Sequence, residues 1–217
     1  MDACLMSMAE VGHQLCRSVS FMVGSEEIEP GDGWPYDRIL ARLAKKPSMA
    51  PDKVAAMVVK EYIASYASNA GVTQSACDLS KSQRLAGAVD RLAVELNSRL
   101  PDAAVRRAIV ECRLRTQSYE APDYIDLCDF CDLLEASAVP DAVRDACSAV
   151  TRLIRVEGFV IRSGHKGGKV DHSNGVSIYF PQGKMSSLYG RLDFVKKTAW
   201  KAFLQGYARQ MRRPGGR

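Results

Sequence analysis

Nowhere in the 217 residues does an apolar run approach the roughly 20 that a helix needs to cross a bilayer, which excludes a helical membrane span within the chain. The first residues have neither the charged start nor the apolar centre of a secretory leader, and localisation is left open. The seven cysteines are odd in number and widely spaced, so they do not read as a disulfide framework. Basic and aromatic residues do not interleave along a groove-like motif. The net charge of +5 therefore reads as a solvated tail, carried in part by Arg209, Arg212, Arg213 and Arg217, and not as a nucleic-acid footprint. There is no internal repeat and no low-complexity linker, and residues 1–217 are taken as a single domain. Histidine is scarce: only His13, His165 and His172 are available as imidazole bases.

With 47% hydrophobic and 25% charged residues the chain excludes wholesale disorder and can bury a sizeable core. Leu5 to about Met22 has the three- and four-residue apolar steps of an amphipathic helix, and Phe21–Ser25 reads as a short buried strand. Pro30–Gly33 is turn chemistry, with Asp32 between two glycines. Pro35 opens a helix that carries Ile39, Leu40 and Leu43 inward, and Pro51 and Asp52 open another with Val54, Met57, Val58 and Tyr62 on its face. Val72–Leu79 is a strand. Ser80 and Gln83 then form a capping box ahead of a helix that stacks Leu85, Val89, Leu92 and Leu96. Helices follow near 102–116, 124–136 and 140–156, started by Asp102, Asp123 and Pro140. Strands are expected at 159–162 and 176–180, joined by a glycine-rich loop, and a last helix at 193–210. Strands separated by helices indicate an α/β sheet covered by helices.

Cys4 is the candidate nucleophile. A cysteine entering a helix N-terminus lies near unsatisfied N–H groups that favour the thiolate, the reactive form. The plainer role of a free cysteine is that of a small hydrophobe, and the other six are read that way. Asp32 alone would be a turn former, and Trp34 a core side chain. Cys128 and Cys131, with Cys112 and Cys147 each sixteen residues away, have spacing conceivable for zinc. All four fall on expected helices, however, so no metal is assigned. Gly164–Lys169 lacks phosphate-loop spacing and reads as a connection between strands.

The run Asp2-Ala3-Cys4-Leu5-Met6-Ser7-Met8-Ala9-Glu10-Val11 resembles the nucleophile segment of the clostripain family, caspase-like cysteine endopeptidases. The likeness continues through Gly24-Ser25-Glu26-Glu27 and Pro30 to Asp37. It returns at Asp126-Leu127-Cys128-Asp129-Phe130, at Gly175 to Pro181, and around Trp200 and Phe203. The resemblance implies a caspase-like α/β sheet flanked by helices, with its N-terminal strands missing and a helix-rich C-terminal half. About 1–100 would be the remainder of the caspase-like core, and about 101–217 a helical and strand-pair region. It implies cleavage after Arg or Lys, with Cys4 as nucleophile, Asp2 and Asp32 as the acids that bind the basic P1 side chain, and Trp34 as a wall of that pocket. A buried guanidinium needs anionic, preferably bidentate partners, which gives those acids their physical sense. No cofactor is implied; calcium dependence, which the family allows, is not readable here.

The family's catalytic histidine lies upstream of its cysteine, and no such segment precedes Cys4. His13 is spaced for packing or solvent, and His165 and His172 match no catalytic position. The expectation is the Cys-bearing C-terminal portion of a peptidase, inactive alone, whose partners are peptides with Arg or Lys at P1 and an N-terminal half or chain carrying the histidine. The strand around Phe21–Val23 is expected to leave an edge uncovered. The alternative is a non-catalytic module that retains the acidic pocket for basic peptides.

Overall fold

The computed structural model describes residues 1–212, the last by its backbone; Arg213 and Arg217 of the expected tail lie outside the described residues. Residues 5–22 are not one helix. α1 is confined to Ala9–Leu15, and Met22 belongs to strand β1 (Phe21–Gly24). Just ahead of α1, residues 6–8 are extended. Leu5 N donates to Glu27 O at 3.2 Å, Ser7 N to Ser25 O at 2.9 Å, and Ser7 O accepts from Ser177 N at 2.8 Å. Those bonds reach residues distant in sequence, which local periodicity does not register.

α2 (Tyr36–Lys45) buries Ile39 and half-buries Leu43, but Leu40, expected inward, is exposed. α3 (Pro51–Ser65) starts on Pro51, whose missing N–H costs nothing in a first turn, and buries Val58 and Tyr62. β2 (Val72–Asp78) is buried along nearly its whole length. The capping box does not form. Asp78 accepts from Ser80 N at 3.0 Å and caps a 3-10 turn over Leu79–Lys81, while Gln83 Nε2 reaches Cys16 Sγ at 3.6 Å. An acid two residues upstream has displaced the Ser80–Gln83 pair. α4 (Ser82–Arg99) buries Leu85, Val89, Leu92 and Leu96, as its pattern requires.

Asp102 caps α5 (Ala103–Arg115), accepting from Ala104 N at 2.8 Å. The next start is Asp126 and not Asp123. Tyr124–Asp126 is strand β3, and Asp126 accepts from Asp129 N at 2.7 Å to begin α6 (Leu127–Glu135). α7 (Asp141–Arg155) follows Pro140, and β4 (Val160–Lys166) absorbs the first part of the expected loop. β5 is Ser177–Tyr179. The last helix is two: α8 (Asp193–Lys197) and α9 (Trp200–Arg212), separated where Thr198 is extended and Ala199 N donates to Asp90 Oδ1 at 2.6 Å.

β1, β2 and β4 form one antiparallel sheet in that order, and β3 and β5 a second antiparallel pair. A parallel bridge from Met8 to Ser177 places the opening segment between the two sheets. α4, α6, α7 and α9 pack behind them in a helical half. Its aromatic centre is Phe180, met edge-on by Phe130, Trp200, Phe203 and Tyr207. Burial of rings of this size supplies much of the core's free energy, each about 1.5–3 kcal/mol. Cys112, Cys128, Cys131 and Cys147 are buried in the same core. Among the described residues no group of three or more His, Cys, Asp or Glu is placed to hold a metal ion.

The two sheets meet on a polar seam around Gly175. Its carbonyl accepts from Ser7 Oγ at 2.8 Å and Ser75 Oγ at 2.6 Å, and its N–H donates to Glu26 Oε2 at 2.9 Å. With φ at +101°, and a Cβ that would lie 2.9 Å from Ser163 Cβ and 3.0 Å from Ser75 Cβ, the position admits only glycine. Gly175→Ala is expected to destabilise the protein by about 3 kcal/mol, from backbone strain and overpacking combined. A urea midpoint unchanged from the parent would contradict that.

Candidate active site

Cys4 does not enter a helix. It lies five residues ahead of α1, in a turn closed by Leu5, whose φ of +60° is left-handed for a non-glycine residue. The helix-terminus field expected at the thiol is therefore not what surrounds it. Instead the Glu29 backbone meets it: Glu29 N–H donates to Cys4 Sγ at 3.3 Å. The thiol is exposed.

Glu29 is the residue that sequence reasoning missed. The sequence assigns it no role, and the available signal is its place directly before the Pro30–Gly33 turn. That turn folds its side chain inward, half-buried. Trp34 Nε1 donates to Glu29 Oε2 at 3.0 Å, and Gln74 Nε2 on β2 approaches Oε1 at 3.4 Å. Burial and a shared hydrogen bond with Asp2 push the Glu29 carboxyl up to about 7. Asp2 Oδ2 accepts from Tyr36 Oη at 2.8 Å, and Tyr36 stacks on Trp34 with ring centres 6.2 Å apart. Asp2, Cys4 and Trp34 thus gather around Glu29.

Asp32 is placed differently. It is exposed and lines an open groove of about 440 Å³ with Pro30, Gly33, Pro35 and Tyr66; Asp2, Cys4 and Trp34 do not line it. Gly33 separates the two acids, with Asp2 Oδ1 4.0 Å from where a Gly33 Cβ would stand. Tyr66 Oη fastens this turn by donating to Gly33 O at 2.7 Å.

None of the three histidines is a hydrogen-bond partner of Cys4 Sγ, whose partners among the described residues are backbone atoms of Glu29. His13 is buried edge-on against Phe194 at 5.7 Å, and burial lowers its pKa. His165 pairs with Thr73 in the β2–β4 ladder. His172, largely exposed, has Nδ1 3.8 Å from Asp129 Oδ1.

Behind the site, segments distant in sequence converge. Glu26 is 1% exposed and Asp126 fully buried. Asp126 accepts from Asp129 N, from Asn174 N at 2.5 Å and from Asn174 Nδ2 at 3.0 Å. Among the described residues Glu26 Oε1 has no close hydrogen-bond partner, and this carboxyl shares a hydrogen bond with Asp126. Two buried carboxyls in contact hold a proton between them. Burial and Asp126 raise Glu26 well above the carboxylate range, while burial raises Asp126 to about 6 against four hydrogen bonds that lower it. Four of the stretches that carry the resemblance, Asp2–Val11, Gly24–Glu27, Asp126–Phe130 and Gly175–Pro181, contribute to this interior, through Ser7, Glu26, Asp126 and Gly175.

A family model described as the clostripain family matches residues 1–207. The chain belongs to the clostripain family. Solved structures carry the same fold. An inactive zymogen C11 protease from Parabacteroides distasonis superposes with a TM-score of 0.66 at 20% identity, over 91% of this chain and 57% of that one. A clostripain from Bacteroides thetaiotaomicron in complex with a peptide inhibitor gives 0.64 at 17%, over 91% and 85%. A secreted C11 cysteine protease from the same organism, in complex with an irreversible peptide inhibitor, gives 0.64 at 20%, over 93% and 58%. The chain thus spans little more than half the length of the first and third of these. A search of curated proteins returned no match. The expected caspase-like α/β architecture is what the fold shows.

Proposed function

We propose that this chain is the nucleophile-bearing part of a cysteine endopeptidase that cleaves after Arg or Lys and that is inactive alone. Cys4 is the nucleophile, Asp2 and Asp32 the acids for the basic side chain, and Trp34 a wall of their pocket. The observation that carries the reading is the gathering of Asp2, Cys4 and Trp34 around one turn in a chain of the clostripain family. In the reaction the thiolate adds to the scissile carbonyl, a base having taken the thiol proton. The same group then returns that proton to the leaving amine. None of His13, His165 and His172 is a hydrogen-bond partner of Cys4 among the described residues, which supports a base supplied by a second polypeptide segment. Cleavable partners are peptides and proteins with Arg or Lys at P1. The division into a core portion of about 1–100 and a C-terminal region of about 101–217 within one domain belongs to the same proposal.

An arginyl chloromethylketone tests the assignment of Cys4. With a histidine-bearing segment of a family member supplied, mass spectrometry is expected to find alkylation on Cys4 and none in Cys4→Ala. Labelling of another cysteine at an equal rate would remove Cys4 from the role.

A further inference from the structure

One buried polar atom beside Glu29 has no partner among the described residues. Gln74 is 1% exposed, and its amide is turned toward Glu29, with Nε2 at 3.4 Å from Oε1; its own Oε1 is buried and accepts from nothing. Tyr62 is fully buried as well, with its hydroxyl against that of Tyr66. Buried acceptors left empty cost free energy, and native structures rarely keep them without a purpose. Here the orphan stands beside two carboxyls in contact, Asp2 and Glu29, which repel one another whenever both are ionised. Such a cluster lacks one thing, a cation carrying several N–H donors.

We infer that Glu29 is a specificity-determining residue of the basic-side-chain pocket, acting with Asp2 and the carbonyl of Gln74 to hold a guanidinium beside Cys4. This rests on the function proposed above and adds an acid to the two assigned there. A guanidinium presents a planar fork of five donors and suits acceptors on three sides, whereas an ammonium is a compact point charge. The arrangement therefore favours arginine over lysine. Because Glu29 also gives its N–H to Cys4 Sγ, one residue ties the nucleophile to the pocket that positions the substrate.

The groups facing Glu29 are Asp2 and the Met1 amine from the opening segment, Trp34 and Tyr36 from the turn, Gln74 from β2, and Tyr62 and Tyr66 from α3 and its end. Tyr36 is raised chiefly by its hydrogen bond to Asp2, and Tyr62 and Tyr66 chiefly by burial, so all three stay neutral through the pH range tested. The Met1 amine, lowered by burial, loses its charge as pH rises, which moves the cluster in the same direction as Glu29. Replacing Glu29 isolates its share.

Benzamidine, a small amidinium with no scissile bond, is the probe, and its binding to the 217-residue chain is followed by calorimetry. Affinity is expected to rise between pH 5.5 and pH 8 as Glu29 ionises. Glu29→Gln is expected to weaken binding about tenfold at pH 8 and to leave it unchanged at pH 5.5, a difference that mere loss of shape would not produce. Asp2→Asn and Asp32→Asn are run alongside. If the parent binds and either aspartate variant loses binding while Glu29→Gln matches the parent at pH 8, this inference is overturned and the assigned acids stand. If the parent binds no benzamidine at pH 8, the acidic pocket fails and the inference goes with it. Should Glu29→Gln not fold, Glu29→Asp, which keeps the charge and shortens the reach, is expected to reduce affinity for benzamidine while keeping its pH dependence.

Discussion

Purified alone, the chain is expected to hydrolyse an arginyl amide no faster than its own Cys4→Ala variant. The reason is the placement of imidazole. A thiol attacks through its thiolate, and a positioned base that removes the proton and later returns it to the amine contributes typically 10²–10⁴-fold. Glu29 N–H donates to Cys4 Sγ and can stabilise a thiolate once formed, but a donor cannot accept the proton. The nearest carboxyls, Asp2 and Glu29, are engaged with Tyr36, Trp34 and each other. Adding a segment that carries the family's upstream histidine is expected to raise turnover by about 10²–10⁴-fold, all of it dependent on Cys4. Turnover by the isolated chain that Cys4→Ala abolishes would show that a base is present after all. Binding without labelling or turnover, even with that segment supplied, is the result that favours a module for basic peptides.

The second large effect concerns the fold. Asp126→Ala removes the cap of α6 and both bonds to Asn174 at once, leaving the buried Asp129 N–H and the half-buried Asn174 N–H without that partner. A lost cap costs about 1 kcal/mol and each orphaned donor about 1–3, so a loss on the order of 3–5 kcal/mol is expected, comparable to the whole margin of many domains. The other member of the pair gives a pH test. Glu26 is raised by burial and by Asp126, so the folded state holds a proton that the unfolded chain releases near pH 4.3. A raised carboxyl gives stability that is complete below that value and is lost as pH climbs through the folded-state value. Asp126, titrating at about 6, follows the same sign. Glu26→Gln keeps an acceptor for Gly175 N–H and places a permanent donor toward Asp126. It is expected to match the parent at pH 5 and to exceed it at pH 8 in urea denaturation. An undiminished fall in stability from pH 5 to pH 8 in that variant would place the proton elsewhere.

The helical half was legible because its information is local. The stacking of Leu85, Val89, Leu92 and Leu96 follows from one helix's own period, and Asp102 caps the turn directly after it. What escaped was set by distant partners. Residues 5–8 carry helical spacing yet are claimed by Ser25, Glu27 and Ser177, so the turn at Cys4 differs from the one its sequence predicts. Asp78 outcompetes a well-formed capping box from the end of a strand, and Asp126 takes the cap expected of Asp123 because residues 124–126 pair with β5. The resemblance pointed to Cys4, Asp2, Asp32 and Trp34. Glu29 stayed hidden because a half-buried acid following a strand looks, in sequence, like a solvated one.

Leu5 has a further consequence. A leucine in left-handed backbone carries a standing cost of order 1 kcal/mol, which the surrounding sheets sustain through its bond to Glu27. That cost is met during folding, before any peptide arrives. In the proposed reaction the sulfur is already aimed when substrate docks, and the affinity of a basic side chain can go to lowering the barrier instead of ordering the nucleophile.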